Sequence, residues 1–205
     1  MTGRSPLHAH DDSPTPNLAG VAEPLELTRS IIVRLREGEP EAGVLLERAY
    51  RDAMVRFCRG YVGRWEDAED AVQDVFCKVL AATEVPDNFR AWLYRIARNH
   101  CLNLVRNRNR RKDQYALPAE DEVEADLTGQ LTRLLEVEMG AKVRDVLLLL
   151  PESTREALRM RYVEGLSRAE IAEVLELQES IIKSRLFEGL KRIREELART
   201  ATRTG

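Results

Sequence analysis

Glycine and proline are scarce in this chain, at 11 and 8 of 205 residues, and four of the prolines fall within the first 24. A sandwich or barrel needs turn residues at short, regular intervals, so this scarcity favours an all-α fold. Cysteine is scarcer still. Cys58, Cys77 and Cys101 are odd in number, and no pair has the spacing of a zinc or redox motif. That excludes a disulfide scaffold and points to buried, reduced thiols in a cytoplasmic protein. No apolar run approaches the roughly 20 residues of a membrane span, and the N-terminus has no signal-peptide core. Metal-ligand spacings, a nucleophile elbow and a phosphate-cradling loop are all missing. His8 and His10 form a His-x-His pair with no further ligand nearby, which reads as a solvated tail. The expectation is a protein with no metal, no cofactor, no small-molecule substrate and no catalytic residues of its own.

What the chain does have is charge and apolar surface. The apolar fraction is 43% and the charged fraction 33%, enough for packed cores in one or two small domains. The net charge of −3 hides a strong segregation. From Arg90 to Lys112 the bases are Arg90, Arg95, Arg98, Arg106, Arg108, Arg110, Arg111 and Lys112, without an acid. From Asp113 to Asp126 the acids are Asp113, Glu120, Asp121, Glu122, Glu124 and Asp126, without a base. Blocks of this kind matter more for partner choice than the sum does.

Residues 1–24 lack periodicity and read as a disordered tail. Helical spacing begins near Leu25. Ile31, Ile32 and Leu35, then Val44, Leu45, Ala49, Met54, Val55 and Phe57, predict two helices broken at Gly38-Glu-Pro40. Trp65 and Asp67 open a third, with an apolar stripe of Ala68, Val72, Val75, Phe76, Val79 and Leu80. Asp70, Gln73, Asp74 and Cys77 fall on its other face. A loop through Pro86 leads to a fourth helix from about Phe89 to Asn107, with Trp92, Leu93, Ile96, Ala97 and Leu104 inward. The acidic stretch 113–133 reads as a linker. A second helical domain spans 134–199, with helices over Leu134–Leu150 and Glu152–Val163 and then two more. Residues 200–205 form a tail.

Those last two helices are separated by Glu176-Leu-Gln178. Ser167 and Glu170 fit a capping box at the start of the first. In the second, Ile182, Leu186, Leu190, Ile193 and Leu197 form the inward stripe, while Ser180, Lys183, Ser184, Phe187, Glu188 and Lys191 fall outward. A capped helix, a short turn and a basic second helix read as a helix-turn-helix. Lys183 and Ser184 stand where base edges are reached. Arg185, Lys191 and Arg192 suit phosphate contacts. The bland reading is a solvated charged helix closing a bundle.

The helix from Phe89 mixes arginines with Asn99 and Asn103. Arginines neutralise phosphates and amides bond base edges, and Tyr94 and Trp92 could offer stacking surfaces, Trp92 being the better core residue. Stacking with amide readout suits an unstacked strand. The bland reading is generic electrostatic binding with idle asparagines. Asp70, Gln73 and Asp74 could dock a basic protein surface or simply be solvated, and spacing leaves the two even.

With these residues in view, the chain resembles a bacterial sigma factor of the extracytoplasmic-function group, in the sigma-70 family. The resemblance covers about residues 27–112 and 140–198. It rests on Asp67-Ala-Glu-Asp-Ala-Val-Gln-Asp-Val-Phe76, on Phe89-Arg-Ala-Trp-Leu-Tyr-Arg-Ile-Ala-Arg-Asn99, and on Leu150-Pro-Glu-Ser-Thr-Arg-Glu-Ala-Leu158 with Gly165 to Leu186. It implies a region 2 bundle over 25–112 and a region 4 helix-turn-helix over 134–199. It implies that Asp70, Gln73 and Asp74 bind the clamp helices of the polymerase largest subunit, with the β flap a further contact. Asn99 and Asn103 would hold a base flipped from the −10 element, beside backbone contacts from Arg95, Arg106, Arg108, Arg110 and Arg111. Lys183, Ser184, Arg185, Phe187 and Lys191 would serve the −35 element. The linker would thread toward the polymerase active site and the RNA exit path. An anti-sigma factor is the usual regulator.

Three residues depart from the family pattern. Glu176 stands where glycine is frequent, so a left-handed turn costs more there. Ile181 replaces a frequent threonine, and Glu188 replaces a frequent base. Two other functions compete. A dimeric duplex-binding regulator would use only the Gly165–Arg194 motif, and a nucleic-acid enzyme would need site chemistry that the chain lacks.

Overall fold

The computed structural model describes residues 25–113, 147 and 149–203. Among them there are seven helices and no strand, as the scarcity of glycine and proline predicts. Helices α1 (Leu25–Glu37), α2 (Glu41–Val62), α3 (Trp65–Leu80) and α4 (Phe89–Asp113) form the first half. Helices α5 (Glu152–Tyr162), α6 (Arg168–Leu175) and α7 (Glu179–Arg203) form the second. None of the described helices is long and apolar enough to cross a membrane.

The helix ends follow local chemistry. Gly38 stops α1, and Pro40, with φ −58°, leads into α2 with its ring already in the helical range. Gly63 ends α2 at φ 86°, and its N–H bonds the Arg59 carbonyl. Glu66 and Asp67 place negative charge in the first turn of α3, where the helix dipole favours it. Ser167 and Glu170 close the expected capping box on α6. Glu176 then takes the left-handed conformation at φ 55°, ψ 44°, where a residue without a side chain would be unstrained.

In the first half, α2 packs against α1, α3 and α4, and α3 also packs on α4. Leu46, Tyr50, Met54, Phe57, Val72, Val75, Val79, Phe89 and Leu93 are buried there. In the second half, α5, α6 and α7 enclose Ala157, Met160, Val163, Leu166, Ile171, Val174 and Ile182. The buried residues of both halves form one continuous cluster, because α6 lies along α4.

Several inward assignments need correction. Val44 and Leu80 are exposed, because no described element covers Val44 and Leu80 meets only the edge of α2 at Gly43, and Leu190 is 37% exposed. Ile182 and Leu186 are buried, and Ile193 packs at the edge of the core. Cys58 and Cys101 are buried, but Cys77 is exposed on the polar side of α3. A hydrogen bond with Cys101, then burial, pushes the Cys58 thiol well above its ordinary range, so it has little thiolate character. Helix α4 runs on to Asp113, past the expected end at Asn107. The N-terminal tail with His8 and His10, the acidic linker after Asp113, most of the helix expected over Leu134–Leu150, and the side chains of Arg111 and Leu197 lie outside the described residues.

Candidate nucleic-acid and polymerase interfaces

Helix α4 has two chemically different sides. Around an ideal helix, Arg95, Asn99, Asn103, Arg106 and Arg110 fall within an arc of about 80°. Asn99, Asn103, Arg106 and Arg110 are exposed and Arg95 is half-buried. The side chains also brace one another: Arg106 donates to the Asn103 amide oxygen at 3.4 Å and Arg110 to that of Asn107 at 2.6 Å. Arg108 points elsewhere. It donates to the Val62 carbonyl and pairs with Asp67 at 3.8 Å, tying α4 to α2 and α3.

Asp70, Gln73 and Asp74 are exposed together on α3, as their spacing predicts. Asp74 is 3.2 Å from Nε2 of His100 on α4, and Lys78 lies 2.6 Å from Nδ1 of the same ring. A neutral imidazole with its proton on Nε2 serves both neighbours, one as donor and one as acceptor. Burial, then the Lys78 ammonium, lowers the His100 pKa below 6.5, and Asp74 only partly opposes this.

On α7, Lys183, Ser184, Phe187 and Lys191 are exposed and Arg185 is half-buried. Phe187 is 65% exposed. Ser180, Lys183, Ser184 and Phe187 border a groove of about 590 Å³ shared with Arg161 and Arg168. Its cationic lining suits an anionic partner.

The other side of α4 carries what the sequence does not reveal. Tyr94, a candidate stacking surface, is buried, and its hydroxyl reaches Glu164 at 3.3 Å. Trp92 is partly buried against Phe89. Arg90 donates to the backbone carbonyls of Glu164 and Gly165. Arg98 grips Glu156 with two parallel bonds, Nε to Oε1 at 2.7 Å and Nη2 to Oε2 at 3.1 Å. Tyr61 of α2 donates to the same carboxylate. Burial opposes the Arg98 charge, but Glu156 outweighs it and holds Arg98 above its ordinary pKa. Burial, then the nearby carboxylates, pushes the Tyr61 and Tyr94 phenols well up.

Arg159 of α5 is 1% exposed. It donates to the carbonyls of Arg56 and Phe57 at 2.8 and 2.9 Å and lies over the Phe57 ring. The side chain of Glu164 is fully buried, 3.6 Å from both Arg56 and Arg159. The two halves are thus joined through a largely buried, charged seam. Asn88 extends it by donating to Glu173.

Two family models match the chain: sigma-70 region 2 over residues 46–111 and sigma-70 region 4 over residues 141–193. The extracytoplasmic-function RNA polymerase sigma factor SigW of Bacillus subtilis strain 168 is 25% identical over 81% of this chain and 94% of its own length. The RNA polymerase sigma-H factor of Pseudomonas aeruginosa is 30% identical over 79% of this chain and 89% of its own. Among solved structures, the sigma factor RpoE in complex with the anti-sigma factor NepR, from Bartonella quintana, superposes with a TM-score of 0.51. It shares 22% identity over 84% of this chain and 97% of that one, a likeness of fold.

Proposed function

The chain belongs to the extracytoplasmic-function group of the sigma-70 family of transcription-initiation factors, and from that membership we propose a division of labour among its exposed faces. Asp70, Gln73 and Asp74 dock on core RNA polymerase. Asn99 and Asn103 take an extruded base of the −10 element between phosphate contacts from Arg95, Arg106 and Arg110. Lys183 and Ser184 read the −35 element, with Phe187 against the groove wall and Arg185 and Lys191 on the backbone. The protein acts by binding, and the polymerase supplies the chemistry.

The observation that carries this reading is the separation of faces. The two amides and their flanking arginines are exposed on one side of α4, the acidic face is exposed on the adjoining α3, and the basic side of α7 faces solvent. Capturing an extruded base offsets an unstacking cost of a few kcal/mol. Each DNA contact alone is modest, but two held on one polymerase add through effective concentration.

Geometry then requires the two halves to part. Elements named −10 and −35 lie about 25 base pairs apart, or about 85 Å along B-DNA at about 3.4 Å per pair. A compact body of about 145 residues, the number described, has a radius of gyration of about 15 Å, hence a diameter near 40 Å. The closed chain cannot span both elements, so promoter-bound polymerase holds the seam open. A regulator that keeps the seam closed silences the protein. We assign that role to an anti-sigma factor, the kind of partner bound to the Bartonella relative.

Run-off transcription with purified core polymerase tests the reading. The chain should co-elute with core polymerase on gel filtration and direct initiation from a matching promoter. Duplex binding as a dimer without co-elution would favour the ordinary regulator.

A further inference from the structure

Arg98 stands at the border between the two sides of α4. On an ideal helix it lies about 60° from Arg95 and about 100° from Asn99, whereas Arg90 lies about 140° from Arg95 on the far side. Arg98 is therefore the seam arginine adjoining the exposed amide-and-arginine face. In the closed chain its side chain is 23% exposed and that of Glu156 is 11% exposed.

The way Glu156 holds Arg98 is informative. Two carboxylate oxygens meet Nε and Nη2 of one guanidinium, at 2.7 and 3.1 Å. A DNA phosphate offers the same guanidinium the same pair of acceptors in the same fork. Glu156 belongs to α5 and Arg98 to α4, so parting the halves removes this carboxylate. An arginine is then released at the rim of the face where the nucleic-acid backbone has to pass. Holding two halves together does not itself call for such a pair, because apolar side chains of similar volume do it at no greater cost. Its position beside the exposed face is what distinguishes it.

Building on the function assigned above, we propose that Arg98 is a promoter-backbone contact which Glu156 occupies, as a stand-in for phosphate, whenever the chain is closed. Domain closure and promoter binding then compete for one guanidinium. The competition makes closure the default in the absence of DNA and lets loading on the promoter offset part of the cost of opening.

The salt dependence of promoter binding tests this, measured with the full chain assembled on core polymerase. In Arg98→Gln the slope of log affinity against log salt should become shallower by about 0.9, the increment that one neutralised phosphate adds. A purely structural arginine would leave the slope unchanged. Glu156→Gln gives an independent arm on the free chain. At low salt its affinity for a fluorescent single strand should rise several-fold, and adding Arg98→Gln should reverse the gain. An unchanged slope in Arg98→Gln while the holoenzyme still opens its promoter, or an unchanged affinity in Glu156→Gln, overturns the proposal. If the wild-type chain fails to open any promoter with core polymerase, the assignment beneath it falls instead.

Discussion

The guanidinium of Arg159 fills the space that a side chain at Gly60 would need. A Cβ on Gly60 would lie 1.8 Å from Nη1 of Arg159 and 2.4 Å from its central carbon. One glycine on α2 thus admits the most deeply buried base of α5. Gly60→Ala should expel Arg159, remove its bonds to the Arg56 and Phe57 carbonyls, and leave Glu164 buried with less countercharge. Breaking a buried ion pair from one side costs about 3–5 kcal/mol. The loss should fall on the seam, since Gly60 is otherwise an ordinary position in α2. Small-angle scattering should give a larger radius of gyration for Gly60→Ala, while circular dichroism keeps its helical signal.

Asn99 offers a test of base capture that is separate from docking. Its amide is exposed, whereas the side chains that pack α4 against α2 and α3 lie on other sides of the helix. Asn99→Ala should therefore leave core-polymerase affinity unchanged and weaken open-complex formation by about 1–3 kcal/mol, the discrimination expected of one good amide-to-base pairing. Permanganate footprinting of the melted region, beside a gel-filtration assay of polymerase binding, reads the two effects independently. Wild-type melting in the variant would remove Asn99 from the capture site.

The fold is more legible in the sequence than the seam is. Helical periodicity locates α1 to α4 because their stripes are apolar, and the capping box marks α6 because Ser167 and Glu170 are local in sequence. The face of Asp70, Gln73 and Asp74 emerges from spacing alone. Helix α5 is found at Glu152–Tyr162, close to the expected Glu152–Val163, but its buried side defeats the same method. Thr154, Arg155, Glu156 and Arg159 are buried although their types read as solvated. Two of the partners lie far off in sequence: Arg98 is 58 residues from Glu156, and the Arg56 carbonyl that accepts from Arg159 is 103 residues away. Periodicity reports which side of a helix is covered by apolar neighbours, and it is blind to charged groups whose partners, a carboxylate or a backbone carbonyl, lie at such distances. Tyr94 passes for a stacking surface for the same reason, because its hydroxyl partner, Glu164, is supplied by the second half.

His100 predicts a pH dependence of stability. Its pKa is lowered in the folded chain by burial and by Lys78, so the unfolded chain binds its proton more readily. The unfolded state then carries more protons in the window below about pH 6.5, and stability must fall as pH falls through that window. His100→Gln keeps a donor and an acceptor but does not titrate. Urea melts of the wild type should lose stability between about pH 6.5 and 5, before ordinary carboxylates begin to protonate near pH 4. The variant should lose less over the same interval, and parallel curves for the two proteins would refute the role given to the ring.

Glu176 holds a left-handed turn at φ 55° in an exposed position between α6 and α7. That conformation costs a residue with a Cβ roughly 1–2 kcal/mol, part of which glycine gives back through its freer unfolded chain. Glu176→Gly should raise stability by about 0.5–1 kcal/mol. The substitution also removes a negative charge beside the basic face of α7, so non-specific duplex affinity should rise slightly at low salt. Thermal melts measure the first effect, and a destabilised variant would contradict the strain argument.

Lys183 distinguishes reading a base from gripping a phosphate. It is exposed near the start of α7 and borders the groove with Ser184 and Phe187, where a recognition helix meets base edges. If Lys183 reads a base, Lys183→Ala should cost about 1–3 kcal/mol at one position of the upstream element and relax preference there. If it holds a phosphate, affinity should drop evenly across all sequences and the salt slope should fall by about 1. Glu188, one turn beyond Ser184 and also exposed, bears on the outcome. A carboxylate at that distance repels the backbone unless it accepts from a cytosine amine, so the base-reading result predicts a cytosine preference next to the position that Lys183 specifies. Affinities on a library of upstream elements, taken at two salt concentrations, separate the two cases in a single experiment.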